Sequence, residues 1–114
     1  MSYTTAFIQN GATQLFTAAV TPPTALQVLP TFNAVPGSRN QFRVVNTSAV
    51  PAFLGAGPTA AIAATNSAVV TNSGNAIPIV PGGVEVFTFP SQWYFTASTA
   101  SSTATLYITP GEGL

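Results

Sequence analysis

The chain has 114 residues, the size of a single domain, and its formal net charge is zero. Only 4% of its residues are charged, whereas an ordinary globular chain has about 25%. The charged residues are Arg39, Arg43, Glu85 and Glu112, and the chain has no lysine, aspartate, histidine or cysteine. This composition excludes disulfides and thiolate metal sites. It also supplies too few cations to neutralise a phosphate backbone, so nucleic acid is not an expected partner.

The surface must therefore consist largely of Thr, Ser, Asn, Gln, Ala and Gly. Molecules with such a surface repel one another little, which favours a protein that functions in contact with other protein subunits, as a homo-oligomer. A monomer with a neutral, hydroxyl-rich surface is the alternative. The most apolar window, residues 49–64, is interrupted by Pro51 and Pro58, so neither a transmembrane helix nor a membrane partner is expected. The first residues lack a secretory pattern, which predicts synthesis in a cytoplasm.

Proline and glycine punctuate the chain at short intervals, and the runs between them are rich in Val, Ile, Phe, Tyr and Thr. This pattern predicts an all-β protein, a single β-sandwich or jelly-roll domain with little or no helix. Only residues 59–68 could be helical, and they lack an amphipathic stripe. The predicted strands are residues 13–19, 26–29, 41–47, 52–55, 60–64, 68–72, 77–80, 84–89, 94–97 and 103–109.

Three segments are expected along the chain. Residues 1–12 are predicted to form an N-terminal arm that docks on a neighbouring subunit, or a first strand. Residues 13–109 form the β-sandwich domain. Residues 110–114, PGEGL, have no periodicity and are predicted to be a flexible or partner-tethered tail.

Two strands, 41–47 and 84–89, are apolar on both faces, which predicts central strands or strands covered on each side. The second carries Glu85 on the same face as Phe87 and Phe89, and a carboxylate on an apolar face is costly unless it is paired. Since Arg43 lies in the other such strand, we expect Arg43 and Glu85 to form a structural ion pair, across strands or across a subunit interface. A partner-binding contact is the alternative for this pair. Arg39, in the turn PGSRN, is expected to be exposed and to contact a partner.

The run SQWYF contains three consecutive aromatic rings. Along a strand, Trp93 and Phe95 face one way and Tyr94 the other. At least one of these large rings therefore points away from the core and must be buried by some other part of the protein or by a partner. A core with one aromatic at its rim is one interpretation, and burial in an oligomer is another. The third is a platform on which a sugar stacks.

Catalysis is not expected. General acid-base chemistry needs an activated base, and only Glu85 and Glu112 are candidates, the latter in a glycine-flanked segment near the C-terminal end. No serine has a His or Lys to take its proton, and two carboxylates without imidazole or thiolate do not make a transition-metal site. The sequence contains no motif typical of a calcium site or of a phosphate-binding glycine loop. We therefore expect no catalytic residue, metal, cofactor or small-molecule substrate.

Three sequence motifs, in this order along the chain, resemble those of a known class of proteins. They are RVVNTS at 43–48, IPIVPGGVEVFTF at 77–89 and ATLYITPGEG at 104–113, with a small-residue stretch after the first. Their order resembles small virion structural proteins of tailed bacteriophages, of the capsid decoration or cement type. The resemblance covers residues 40–114 and consists of strand and turn patterns, without reactive residues to transfer. It implies a β-sandwich or jelly-roll on the capsid exterior, assembled in the host cytoplasm, where a homotrimer binds the major capsid protein.

The expected function is accordingly that of a non-enzymatic capsid decoration protein, which binds the head shell and stabilises it across subunit boundaries. One alternative is a phage head or tail fibre module or an adaptor. Another is a carbohydrate-binding module that uses Trp93 and Tyr94. The candidate partner-binding residues are Tyr3, Phe7, Arg39, Trp93, Tyr94 and Glu112.

Overall fold

The computed structural model describes residues 7–31 and 39–112. Within these ranges the chain forms nine strands and one short helix, which confirms the all-β prediction. In chain order they are β1 (Ile8–Gln9), β2 (Gln14–Ala18), β3 (Leu26–Gln27), β4 (Arg39–Asn46), β5 (Ala52–Gly57), α1 (Ala60–Asn66), β6 (Ile77–Ile79), β7 (Val84–Pro90), β8 (Tyr94–Ser98) and β9 (Ala104–Glu112).

The strands form two antiparallel sheets packed face to face. In sheet A, β9 lies between β4 and the pair β1 and β2, and β7 follows β4. Sheet B has the order β3-β8-β5-β6. The pairs β2·β9, β3·β8, β4·β7 and β5·β6 are nested along the chain, as in one long hairpin whose two arms are rolled into a sandwich. This nesting is the jelly-roll topology, one of the two architectures that the sequence left open.

The core lies between the two sheets and is built by alternate residues of the strands. Phe42 and Val44 of β4 and Leu106 and Ile108 of β9 are fully buried on the inner face of sheet A. They pack against sheet B, where the ring centroid of Phe95 lies 4.9 Å from that of Phe42. Complete burial of side chains of this kind contributes about 1.5–3 kcal/mol each. Along 103–109 the sequence alternates Ala104, Leu106 and Ile108 with threonine and tyrosine, and the structure buries these three residues on the inner face.

One polar side chain, that of Asn46, is fully buried at the end of β4. Its Nδ2 donates to the carbonyl oxygens of Val50 and Ile79, at 2.9 and 3.0 Å. Its Oδ1 accepts from the backbone N–H and the hydroxyl of Ser48, at 3.0 and 2.6 Å. All four hydrogen-bonding positions of the amide are therefore used. Because β4 belongs to sheet A and β6 to sheet B, Asn46 connects the two sheets.

Helix α1 covers part of the outer face of sheet B. Thr59 caps its N-terminus, since Thr59 Oγ1 accepts from the Ile62 N–H at 3.2 Å. The helix lies close against β5 because Gly55 has no side chain there, and an added Cβ would overlap the Ala63 carbonyl oxygen. The strands predicted at 60–64 and 68–72 are wrong. The first range is helical, as alanine favours, and the second forms no strand.

Strand β7 lies at the edge of sheet A as far as the structure describes the chain. The sequence predicted a central or doubly covered strand, because the segment is apolar on both faces. Phe87 and Phe89 do pack against the core, but on the outer face Val84 is 60% exposed. The prediction is therefore wrong for β7, and it is correct for β4, which lies between β7 and β9.

The predicted C-terminal boundary changes. Strand β9 continues to Glu112, so residues 110–112 belong to the sandwich and not to a tail, and Pro110 is fully buried. At the other end β1 is a first strand, one of the two alternatives predicted for residues 1–12, and Ile8 pairs with Glu112. Residues 1–6 and 113–114 lie outside the described part of the chain.

Candidate functional site

A row of apolar side chains crosses the outer face of sheet A. The register places Leu15 opposite Tyr107, Tyr107 opposite Val45, and Val45 opposite Val84. Residues opposite each other on neighbouring strands point to the same side of a sheet, so the four side chains form one line, about 14 Å long at the usual strand spacing. Leu15 is 54%, Tyr107 38% and Val84 60% exposed. We call these four residues the apolar row.

The charges are divided between the two faces of sheet A. Arg39 and Arg43 occupy positions of β4 that alternate with the buried residues, so both emerge on the outer face, where both are exposed. Glu85 lies opposite the inward Val44, and Glu112 shares the inward set of β9 positions. Among the described strands of sheet A, the outer face therefore carries two arginines and no carboxylate.

Phe7 holds Arg43 beside the apolar row. The Arg43 guanidinium carbon lies 5.3 Å from the centroid of the Phe7 ring, a cation–π contact. The ring itself rests on the backbone of Gly111, since an added Cβ there would be 2.6 Å from Phe7 Cε2. Phe7, predicted to contact a partner, is thus in contact with its own sheet.

The predicted pairing of Arg43 with Glu85 across strands is wrong. Arg43 lies opposite Val86, and Glu85 lies opposite Val44, one position further along the ladder. Because side chains alternate with period two, Arg43 and Glu85 emerge on opposite faces of the sheet. Glu85 is exposed at the edge of sheet A as far as the structure describes it, so its carboxylate stays in contact with water and avoids the cost of burial. Pairing across a subunit interface stays a prediction.

The remaining predicted contact residues are dispersed. Arg39 is exposed at the start of β4, as expected, and Glu112 is half-buried at the end of β9. Tyr3 lies outside the described residues. Trp93 and Tyr94 are both half-buried and lie together at one end of sheet B.

Trp93 and Tyr94 line a pocket of about 350 Å³. The other lining residues are Gln27, Pro58, Pro90 and Gln92. One face of Trp93 is covered, since its ring is stacked on Phe89 with centroids 5.6 Å apart and planes inclined by 25°. Gln27 lies opposite Tyr94 in the β3–β8 ladder, and its Nε2 donates to the Gln92 carbonyl at 2.8 Å.

The predicted alternation is confirmed for Tyr94 and Phe95, whereas Trp93 precedes β8 and lines the same pocket as Tyr94. Phe95 is fully buried in the core, and Tyr94 faces the other way, into the pocket. Sequence reasoning missed Gln27, which pairs opposite Tyr94, and Pro58, which directly follows Gly57, the other residue opposite Tyr94. It also missed the apolar row, although the two-sided apolar pattern of β4 and β7 was its signal.

The described residues contain no group of three or more His, Cys, Asp or Glu side chains that could hold a metal ion. The one helix among them, α1, is too short to cross a membrane. No protein-family model, curated protein or solved structure gave a significant match to the chain.

Proposed function

We propose that the chain is a non-enzymatic structural protein of a virion, of the capsid decoration type. It binds the head shell through the outer face of sheet A and acts by adhesion. The observation that carries this proposal is the apolar row, which crosses four strands and has three of its four side chains exposed as far as the structure describes the chain. Exposed apolar patches of this kind mark sites of protein association.

The two outer faces of the sandwich differ, and the difference supports the proposal. On sheet B the chain covers itself, with α1 lying on β5 and the Thr96 hydroxyl donating to the Pro23 carbonyl at 2.7 Å. On sheet A, Phe7 covers one end of the face, and Leu15 and Val84 stay exposed among the described residues. A partner that covers the apolar row would complete the burial that the chain leaves unfinished.

The size of the row indicates how the protein attaches. Burying side chains that are about half exposed yields roughly 1 kcal/mol each, half of the value for complete burial, and about 4 kcal/mol for the row. That alone corresponds to a dissociation constant on the order of millimolar, before the entropy cost of association. A trimer that binds three sites on the shell at once would have a much higher overall affinity than this single weak contact. Homotrimeric assembly therefore fits the proposal.

The charges indicate what kind of surface is bound. Two copies that met through this face would bring arginines together without a carboxylate between them. A shell surface that offers carboxylates or backbone carbonyls would satisfy Arg39 and Arg43. We therefore assign the face to the major capsid protein.

The fold supports the proposal only as an analogy. Jelly rolls occur in viral capsid proteins, and they also occur in lectins and cupins, so function must be argued from the surface. A head or tail fibre module or an adaptor could use the same face, but it would occupy unique vertices of the particle instead of the whole shell.

Co-sedimentation with purified head shells of the encoding virus tests the proposal. Tyr107→Lys places a charge in the middle of the apolar row, and we expect it to lower the bound fraction at least tenfold. Thr71→Lys, on an exposed loop, is the matched control and should bind as the unaltered chain does. Equal binding of Tyr107→Lys and the unaltered chain would overturn the proposal. Binding confined to vertices would favour the fibre or adaptor module.

A further inference from the structure

We infer that the pocket beside Trp93 is a binding site for a neutral sugar residue, which stacks on Trp93 and bonds to Gln27 and Tyr94. This inference does not rest on the capsid function, because the pocket lies at one end of the sandwich, where Pro90 ends β7, and the apolar row meets β7 at its other end, at Val84. It assigns the chain a second, separate contact, with a carbohydrate.

The lining chemistry selects an uncharged ligand. Two aromatic rings, two prolines and two glutamines form the wall, and no charged side chain is among these residues. Among these six lining residues a phosphate or carboxylate ligand has no cation to pair with, and an ammonium ligand has no carboxylate; Arg39, opposite Pro90 in the β4–β7 ladder, is not one of them. What the wall offers is apolar area together with amide and phenol groups, and each neutral sugar ring carries both apolar C–H faces and hydroxyls.

The pocket is held in shape before a ligand arrives. Trp93 is fixed by its stack on Phe89, whose ring also contacts Phe95 with centroids 5.6 Å apart. Pro58 and Pro90 have restricted backbones. A preformed wall lowers the entropy cost of binding, which matters most for a small ligand.

The hydrogen-bonding groups are oriented as well. The Gln27 amide nitrogen is held by the Gln92 carbonyl, which fixes the side chain and leaves Gln27 Oε1 as an acceptor for a sugar hydroxyl. Tyr94 lies opposite Gln27 in the ladder and contributes a phenol that can donate or accept. The acceptor and the phenol therefore stand on one side of the pocket.

The dimensions favour a single sugar residue over a proline-rich peptide. A volume of about 350 Å³ is at the small end of the usual range of roughly 300–1,000 Å³ for small-molecule sites. A polyproline segment is bound along an extended aromatic groove and would reach beyond a pocket lined by these six residues.

Tryptophan fluorescence tests the inference directly, because Trp93 is the only tryptophan in the chain. The purified protein is titrated with methyl glycosides of glucose, galactose and mannose and with N-acetylglucosamine. We expect a saturable change with at least one of them, at a dissociation constant on the order of millimolar. No saturable change with any of the four would overturn the inference, and so would a response to a proline-rich peptide alone.

Three variants separate this site from a general effect on the protein. Gln27→Ala and Tyr94→Phe each remove hydrogen-bonding groups, and each should raise the dissociation constant of the sugar about three- to tenfold. Gln9→Ala is the matched control, since Gln9 also donates to a backbone carbonyl, that of Gly11 at 2.9 Å. It should leave the affinity unchanged. Unaltered affinity in both Gln27→Ala and Tyr94→Phe would refute the assignment.

Discussion

Replacing Asn46 by alanine should cost more stability than its position at the end of a strand suggests. The substitution removes the two hydrogen bonds that reach the Val50 and Ile79 carbonyls and the two that Ser48 donates. Asn46 is completely buried, so water reaches the released groups poorly. The loss therefore falls on both sheets at once, at the point where β4 is connected to β6.

The expected magnitude follows from these four bonds. A typical net contribution of about 1 kcal/mol for each gives a loss of about 4 kcal/mol in the free energy of unfolding. Domains of this kind are stable by only about 5–15 kcal/mol, so the variant stays folded with little reserve. At roughly 4 °C per kcal/mol for a domain of this length, its melting temperature should fall by about 16 °C.

Urea and thermal unfolding, followed by circular dichroism, measure this loss. Asn46→Asp is the informative second variant, because it keeps the shape and the two acceptor bonds to Ser48 while turning a carboxylate oxygen toward the Val50 and Ile79 carbonyls. We expect it to be at least as destabilising as Asn46→Ala. Asn72→Ala, at an exposed turn, is the control and should change the stability by less than about 0.5 kcal/mol. A loss below about 1 kcal/mol for Asn46→Ala would show that the buried amide is not the connection described.

The other predictions concern two glycines and the edge strand. Gly82 has φ +74° in a turn in which the Gly83 N–H donates to the Val80 carbonyl, and no atom lies within 4 Å of an added Cβ. Gly82→Ala should therefore introduce only backbone strain, and the free energy of unfolding measured in urea should fall by about 1–2 kcal/mol. Gly111→Ala instead collides with the Phe7 ring and with the Ile8 carbonyl oxygen, which would lie 2.7 Å from the added Cβ, so it should cost at least as much. Restoration of part of the loss by Phe7→Ala in the double variant would identify the collision with the ring, whereas additive losses would contradict it. Glu85→Val should leave the melting temperature nearly unchanged and increase aggregation measured by static light scattering, because a charge on an edge strand opposes edge-to-edge pairing. Thr88→Val, at another exposed position of β7, is the control. Equal aggregation of the two variants would refute a specific role of the carboxylate.

The sequence predicted most strands because their signal is local. The alternation in 103–109 and the aromatic, β-branched run at 84–89 are properties of single segments, and turn residues bound both. The helix at Ala60–Asn66 was only partly visible. Its alanines fit it, but its position depends on Gly55, whose missing side chain lets the helix approach β5.

The candidate sites depend on register, which no single segment contains. Glu85 was correctly placed with Phe87, and Arg43 with Val45, because these are relations within one strand. Whether the two faces meet is decided by the β4–β7 ladder, which brings Glu85 opposite Val44. Likewise Trp93 was a visible candidate, whereas Gln27 joined the pocket through pairing of β3 with β8.

The position of β9 has a consequence for how the protein is made. This strand, the last of the described elements, lies between β2 and β4, and it pairs Phe16 with Leu106 and Val44 with Ile108. During synthesis β5 can find β6 early, but β2 has no neighbour in sheet A until residues 104–112 emerge from the ribosome. Contacts so distant in sequence form slowly. The growing chain thus carries open strand edges for most of its translation, and such edges favour association between nascent chains.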